Sequence, residues 1–339
     1  MSDDSPPRRG SGRRVTIRDV AREAGVSVTT VSAALSGGGR LGAQTRERVA
    51  AAAAGLGYTP SPSARHLRTS RTGTIGLCLP DQVLTLEYYM QLAFGAAEAA
   101  MAQGLSLTLV PTRSAPEALP AIPVDGMIVV DPVQDDPTIA ALVAAGITIV
   151  TCEDDPSGAT HSGAVTGDHR SGARALLDHL VTQGARSIAM IAPPASTSWS
   201  AAVRSEYQRF CGARSNPNLL VTVPFISTVS TVRGATDDIL KATGVDAIVA
   251  VPDGGAVGAL QAATRRGFRI PGDLLIAAGV DSTVMEFAAP PITALDLNPR
   301  QMGAKAAIML AAALDDQRPQ NPTTVPIVLK QRESTLRFR

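Results

Sequence analysis

Residues 16–36 read Thr-Ile-Arg-Asp-Val-Ala-Arg-Glu-Ala-Gly-Val-Ser-Val-Thr-Thr-Val-Ser-Ala-Ala-Leu-Ser, and their spacing decides how the N-terminal part of the chain folds. Thr16 is a good N-cap, and Ile17, Val20, Ala21 and Ala24 recur at i, i+3, i+4 and i+7, one apolar face of a helix. Gly25 supplies a left-handed residue to end that helix, and Ser27 caps a second one whose buried side is Val31, Ala34 and Leu35. Two helices this short do not hold alone. Thr45 to Leu56, with Val49, Ala53 and Leu56 on one side, is the third element they pack on. This is the plan of a helix-turn-helix head, whose second helix enters the major groove of DNA.

Downstream, Leu56-Gly57-Tyr58-Thr59-Pro60 reads as an exit clasp. Ser61-Pro62 is a cap with proline at the first helical position, opening a two-turn helix to about Thr69 that is too short to be stable without a partner. Charge separates the two parts of the chain. Residues 1–72 hold 12 Arg, no Lys and 5 acids, a net +7, while the remainder holds 19 basic and 25 acidic residues, a net −6. A compact basic head suits phosphate neutralisation. Residues 1–14, polar with paired arginines, read as a disordered basic arm without the apolar core of a signal peptide.

From Thr72 onward, short apolar runs alternate with helical stretches. They run from Thr74–Leu79 and Glu87–Ala102 through Leu105–Val110, Gly126–Val130, Pro137–Ala145 and Ile147–Val150. The same beat resumes from Ala173–Thr182 and Ser187–Ile191 to Ala247–Val251 and Gly255–Arg266. The expected fold is therefore α/β: a small all-α head plus a two-lobed body of parallel sheets flanked by helices, with ligands held at the carboxyl ends of the strands. The segment Pro111–Val124 is proline-broken and predicts a trimmed helix. No run of 18 or more apolar residues predicts a membrane span. Cys78, Cys152 and Cys211 are odd in number and far apart, which suits buried thiols in a reducing cytoplasm.

The stretch Val15–Gly76 resembles the LacI/GalR family of bacterial transcriptional repressors. The resemblance continues through Asp168-His169-Arg170-Ser171-Gly172-Ala173, Val251-Pro252-Asp253-Gly254-Gly255, Gly267-Phe268-Arg269-Ile270-Pro271-Gly272-Asp273, Gly279-Val280-Asp281-Ser282, Pro290-Pro291-Ile292-Thr293 and Arg332-Glu333-Ser334-Thr335. It implies a periplasmic-binding-protein-like body and domains at 15–60 (head), 61–72 (hinge helix and linker) and 73–339 (effector binding and dimerisation). Its chain crosses between lobes three times, returning to the first with the helix from Pro299. It further implies a palindromic double-stranded DNA operator, a small-molecule effector such as a sugar or related metabolite, a cytoplasmic homodimer, and no metal or other cofactor.

The expected DNA contacts are Ser27, Val28, Thr29, Thr30, Ser32 and Ala33 on the reading helix, Thr16, Thr45 and Arg40 beside it, and Ala64, Leu67 and Arg68 in the hinge. Val28 and Thr29 sit where side chains reach base edges; Leu67 is the minor-groove wedge. Ala33 departs from the arginine usual in the family, losing a guanine contact worth about 1–3 kcal/mol. The expected effector residues are Asp81, Trp199, Arg204, Asp253 and Asp281. Tyr207 stands where glycine is usual and Pro252 where a polar residue is usual, so the pocket departs from the family's sugar site.

Catalysis is not expected. His66, His161, His169 and His179 lack metal spacing, no Gly-x-Ser-x-Gly elbow or phosphate loop occurs, and Glu153-Asp154-Asp155 before Pro156 reads as a solvated acidic loop. The alternatives are an effector-blind DNA-binding regulator and a solute-binding receptor.

Overall fold

The computed structural model describes residues 15–35, 41–58, 71–80, 86–110, 116–158, 162–214, 216–241, 244–315 and 323–337. It divides into two compact units, residues 1–72 and 73–339.

The first unit carries α1 (Ile17–Ala24), α2 (Val28–Leu35) and α3 (Ala43–Gly55). Their start and stop signals are local. The Thr16 amide and hydroxyl both donate to one carboxylate oxygen of Asp19, at 2.9 and 2.7 Å. Gly25 closes α1 at φ 64°, the left-handed conformation that glycine adopts without a Cβ penalty. Ser27 Oγ accepts the Thr30 amide at 3.1 Å, capping α2. Helix α3 begins two residues before the expected Thr45, with Gly42 as its N-cap. The core is small: Val20, Ala21, Ala24, Val31, Val49 and Ala53 are buried, with Ile17, Ala34, Leu35, Leu56 and Tyr58 packed around them.

The second unit is built on two six-stranded sheets. The first comprises β1 (Thr74–Cys78), β2 (Ser106–Val110), β3 (Gly126–Val130), β4 (Thr148–Cys152), β5 (Ala164–Gly167) and β11 (Thr323–Val325), ordered β11-β5-β4-β3-β1-β2. All its pairs are parallel. The second comprises β6 (Ile188–Ala192), β7 (Leu219–Thr222), β8 (Ala247–Ala250), β9 (Leu275–Ala278), β10 (Thr293–Asp296) and β12 (Val328–Lys330), ordered β12-β10-β9-β8-β6-β7. Only β12 there runs antiparallel. Central strands such as β3, β6 and β8 are buried at every position, as strands covered by helices on both faces must be.

The flanking helices are α4 (Glu87–Ala102), α5 (Pro137–Ala144), α6 (His169–Thr182), α7 (Ser198–Arg214), α8 (Val229–Ile239), α9 (Gly255–Arg265), α10 (Thr283–Phe287) and α11 (Pro299–Leu314). Helix α6 starts earlier than the apolar spacing indicates, because the polar cap Asp168 precedes the periodic residues. Where a helix was expected to be trimmed, a 3-10 segment, Pro116–Ala121, stands.

The chain passes between sheets after β5, after β10 and between β11 and β12. Helix α11 thus returns to the first lobe and packs along α4. A Cβ on Gly95 would collide with the Arg300 carbonyl, and one on Gly303 with the Leu92 carbonyl, so the two helices lie backbone to backbone. The closing Arg332–Thr335 segment locks the second lobe. Ser334 Oγ donates to the Ile276 carbonyl at 2.6 Å, and Thr335 Oγ1 bonds His179 Nε2 at 2.7 Å. Burial pushes the His179 pKa down.

Candidate nucleic-acid interface and ligand cleft

In the head, α2 turns Val31 into the core and leaves its first turn outside. Val28, at 41% exposure, and Thr29 are exposed, Thr30 and Ser32 are half-buried, and Ser27 at the cap is exposed. An apolar Val28 beside a hydroxyl at Thr29 offers a thymine-methyl contact and a hydrogen bond from one helix end. Thr16 is exposed at the start of α1, and Thr45 is half-buried in the first turn of α3. Ala33 is half-buried. Arg40, Ala64, Leu67 and Arg68 lie outside the described residues, as does Asp81 from the effector set.

In the body, a cleft lies between the sheets. Its walls include the carboxyl ends of strands and the turns after them, where open α/β folds hold ligands, and reach Leu176, Leu177, Met190 and Val249 in the second lobe's core. The first lobe contributes Leu86, Tyr88 and Tyr89 at the start of α4, and Asp131 after β3. The second contributes His169, Trp199, Phe225, Pro252 and Asp253. Trp199 lies between two rings, 5.8 Å from Phe225 and 6.1 Å from His169 by centroid. The Tyr88 and Tyr89 rings meet edge to face at 5.0 Å, and the Tyr89 hydroxyl donates to Asp131 Oδ2 at 2.5 Å.

Asp253 has an unusual setting. It precedes α9, and burial pushes its carboxyl up to about 6, against the opposing pull of the Tyr88 and Gly254 amides. Its Oδ2 is buried without a hydrogen-bond partner.

Two sequence candidates face elsewhere. Arg204 is not in the cleft wall: its guanidinium donates to the Pro193 carbonyl at 2.9 Å and to Thr222 Oγ1 at 3.2 Å. Asp281 is also outside it, clamped by Arg332 through bonds of 2.7 and 2.9 Å. It borders a separate polar groove with Glu87, Gln91 and Glu286. Each of these charged groups meets a partner close in space but distant in sequence, which spacing cannot reveal.

The acidic run after β4 corrects the sequence reading, because it is not a solvated loop throughout. Glu153 is 3% exposed and Asp155 8%. Glu153 Oε1 lies 2.9 Å from His169 Nε2 and accepts the Gly167 amide at 3.2 Å, so a first-lobe carboxylate holds the first residue of α6. Neither residue had been singled out as a ligand-site residue. The available signal was an acid directly after an apolar strand and a histidine directly after a helix cap. Two further residue pairs bond across the lobes. Val133 and Thr197 form an isolated antiparallel bridge, and Glu87 accepts both the amide and the hydroxyl of Thr283 at 2.9 Å.

Among the described residues, no group of three or more His, Cys, Asp or Glu could hold a metal ion. No helix among them is long and apolar enough to cross a membrane.

Residues 16–61 match the family described as bacterial regulatory proteins, lacI family, and residues 177–335 match a periplasmic binding protein-like domain. The chain is 30% identical to the HTH-type transcriptional regulator CelR of Thermobifida fusca over 94% of its own length and 95% of that protein's. It is 27% identical to the lactose operon repressor of Escherichia coli over 95% and 91%. Among solved structures, a CelR–cellobiose complex superposes with a TM-score of 0.72 at 27% identity, covering 95% of this chain and all of that one. A lac repressor dimer bound to operator and the anti-inducer ONPF superposes with a TM-score of 0.78 at 24% identity, covering 96% of this chain and 100% of that one, which speaks to the fold.

Proposed function

Because the chain belongs to the LacI family of bacterial regulatory proteins, which are DNA-binding transcriptional regulators, we propose that it is a cytoplasmic, dimeric repressor. Its operator affinity is set by a small molecule held between the two lobes of its body. The observation that carries this reading is α2: a Ser27-capped helix with Val28 and Thr29 exposed at its first turn. A dimer places two such helices on two half-sites and so reads a palindrome. We assign residues 61–72 as the hinge, with Leu67 as its wedge, and Trp199 and Asp253 as ligand contacts. Residues 1–14 serve as a basic arm. The protein is a binder, not an enzyme, like the regulators it is related to.

The ligand acts by differential affinity. A molecule that favours one arrangement of the lobes shifts the population towards it, and operator affinity follows. Cellobiose, named with the CelR structure, is the first compound to try. The test is selection of bound sequences from a random DNA library by the full chain. Recovery of a palindrome whose binding changes with a cleft ligand supports the reading, and recovery of unrelated sequences refutes it.

The second reading is an effector-blind regulator. It draws on the lobe-to-lobe contacts Glu153–His169, Val133–Thr197 and Glu87–Thr283, which tie the two lobes through protein groups alone. Operator binding indifferent to every cleft ligand would favour it.

A further inference from the structure

We infer that the cleft takes an organic cation, a protonated amine on an apolar body; this rests on the reading of the cleft as the effector site. Three independent features of the wall point the same way.

The first is charge. The acidic side chains facing the cleft are Asp131 and Asp253, and no lysine or arginine lines it among the described residues. Arg204, the nearest arginine in the sequence to Trp199, is spent on the Pro193 carbonyl and Thr222. A carboxylate or phosphate entering here would meet the buried Asp253 carboxylate with no lysine or arginine among the described lining residues to offset it, and the basic side chain that does line the wall, His169, is taken by Glu153.

The second is hydrogen-bond polarity. An ionised carboxylate only accepts, and an ammonium group only donates. Asp253 Oδ2 is buried with no partner, so it is an acceptor awaiting a donor. The Tyr89 hydroxyl is already donated to Asp131, and the Tyr88 hydroxyl faces Met302 Sδ at 3.5 Å. A sugar hydroxyl can also donate to Asp253, but its oxygen is then an acceptor that neither tyrosine hydroxyl, already donated, is placed to serve.

The third is surface. Trp199, Phe225, Tyr88 and Tyr89 present aromatic rings, and Leu86, Val203, Val251 and Val280 fill much of the rest. Aromatic faces attract a cation through their quadrupole, and the aliphatic wall suits a hydrocarbon body. Pro252, standing where the family has a polar residue, adds to that apolar wall.

Titration calorimetry on the full chain near neutral pH tests this with phenethylamine, benzylamine and cyclohexylmethylamine. Phenethyl alcohol, phenylacetate and cellobiose serve as matched comparators. The expected result is that at least one amine binds about ten-fold or more tightly than its alcohol, that phenylacetate does not bind, and that Asp253→Asn weakens the amine about ten-fold or more while still unfolding cooperatively. Failure of all three amines to bind, cellobiose binding more tightly than any of them, or unchanged amine affinity in Asp253→Asn overturns the inference. Operator binding by the wild-type chain is followed in parallel. If cellobiose binds and changes operator affinity, the regulator reading stands and the amine inference alone falls. If no palindromic operator exists, the regulator reading fails whatever the cleft binds.

Discussion

Glu153 Oε1 and His169 Nε2 are 2.9 Å apart, and both side chains are buried. One residue follows the last strand residue of β4 in the first lobe, and the other begins α6 in the second. Glu153 also holds a left-handed backbone, at φ 75°, which is uncommon for a residue with a Cβ. Glu153→Ala leaves the His169 ring and the Gly167 amide without an acceptor. The expected cost is about 1–3 kcal/mol of body stability, read as a lowered urea midpoint. Hydrogen exchange of the Gly167 amide should rise with it. An unchanged midpoint would show that this bond does not hold the lobes.

Ser27 starts the reading helix through one hydroxyl. Ser27→Ala removes the acceptor for the Thr30 amide and should cost the head about 1 kcal/mol. Operator affinity should drop while the main thermal transition of the body stays in place. A body transition that moves with the substitution would contradict independent stability of the two units.

Operator binding should weaken steeply with salt, because a head region of net +7 releases counterions from the phosphates it neutralises. Each phosphate contact contributes roughly 0.9 to the slope of log affinity against log salt. A slope near zero by fluorescence anisotropy would remove phosphate anchoring from the account.

The Asp253 carboxyl, with an ordinary value of 3.8, sits at about 6 in the folded body. The folded state therefore binds this proton more tightly than the unfolded chain does. Its contribution favours folding fully below the ordinary value and is lost as pH rises through about 6. The two limits differ by roughly 3 kcal/mol. In Asp253→Asn this component vanishes, so the urea midpoint near pH 8 should rise relative to wild type and its pH dependence should flatten. A parallel pH profile for the two proteins would show that Asp253 is not the titrating group. Such a cost is what a site kept ready for a partner carries, in keeping with the proposed role of Asp253.

Asp281 and Arg332 form a two-pronged pair, each about 17% exposed, and Arg332 also donates to the Ile292 carbonyl at 2.8 Å. Arg332→Ala should lower body stability by about 1.5–3 kcal/mol. Arg332→Lys should restore little, since a lysine cannot reproduce the planar fork. Full recovery by lysine in thermal unfolding would argue for simple charge pairing. Asp281→Ala is expected to act through the same loss of stability, not through a lost ligand contact.

The head was legible because each of its signals is local. The Thr16 and Ser27 caps, Gly25 and the i, i+3, i+4, i+7 apolar face are all set within one or two helical turns. Strand and helix alternation in the body was legible for the same reason, whereas the return of α11 to the first lobe was implied only by the family resemblance. The short strands β5, β9, β10, β11 and β12 were not legible, because three or four residues carry too little periodicity and are defined by the strand they pair with. The cleft was legible only in part. Trp199 and Asp253 line it, Arg204 and Asp281 do not, and Asp81 lies outside the described residues. His169, read only as lacking metal spacing, lines it, while Glu153, read as solvated, is buried against that histidine.

The sequence by itself determined where helices start and stop, which faces are apolar, and that a basic head precedes a more acidic two-lobed body. Those properties rest on backbone geometry and side chains only a few residues apart. Tertiary structure alone decided which charges meet: Arg332 took Asp281, Thr222 and Pro193 took Arg204, and Glu153 took His169, leaving one oxygen of Asp253 unpartnered. Burial makes the Glu153–His169 pairing obligatory, and only packing of distant segments decides which partner is within reach.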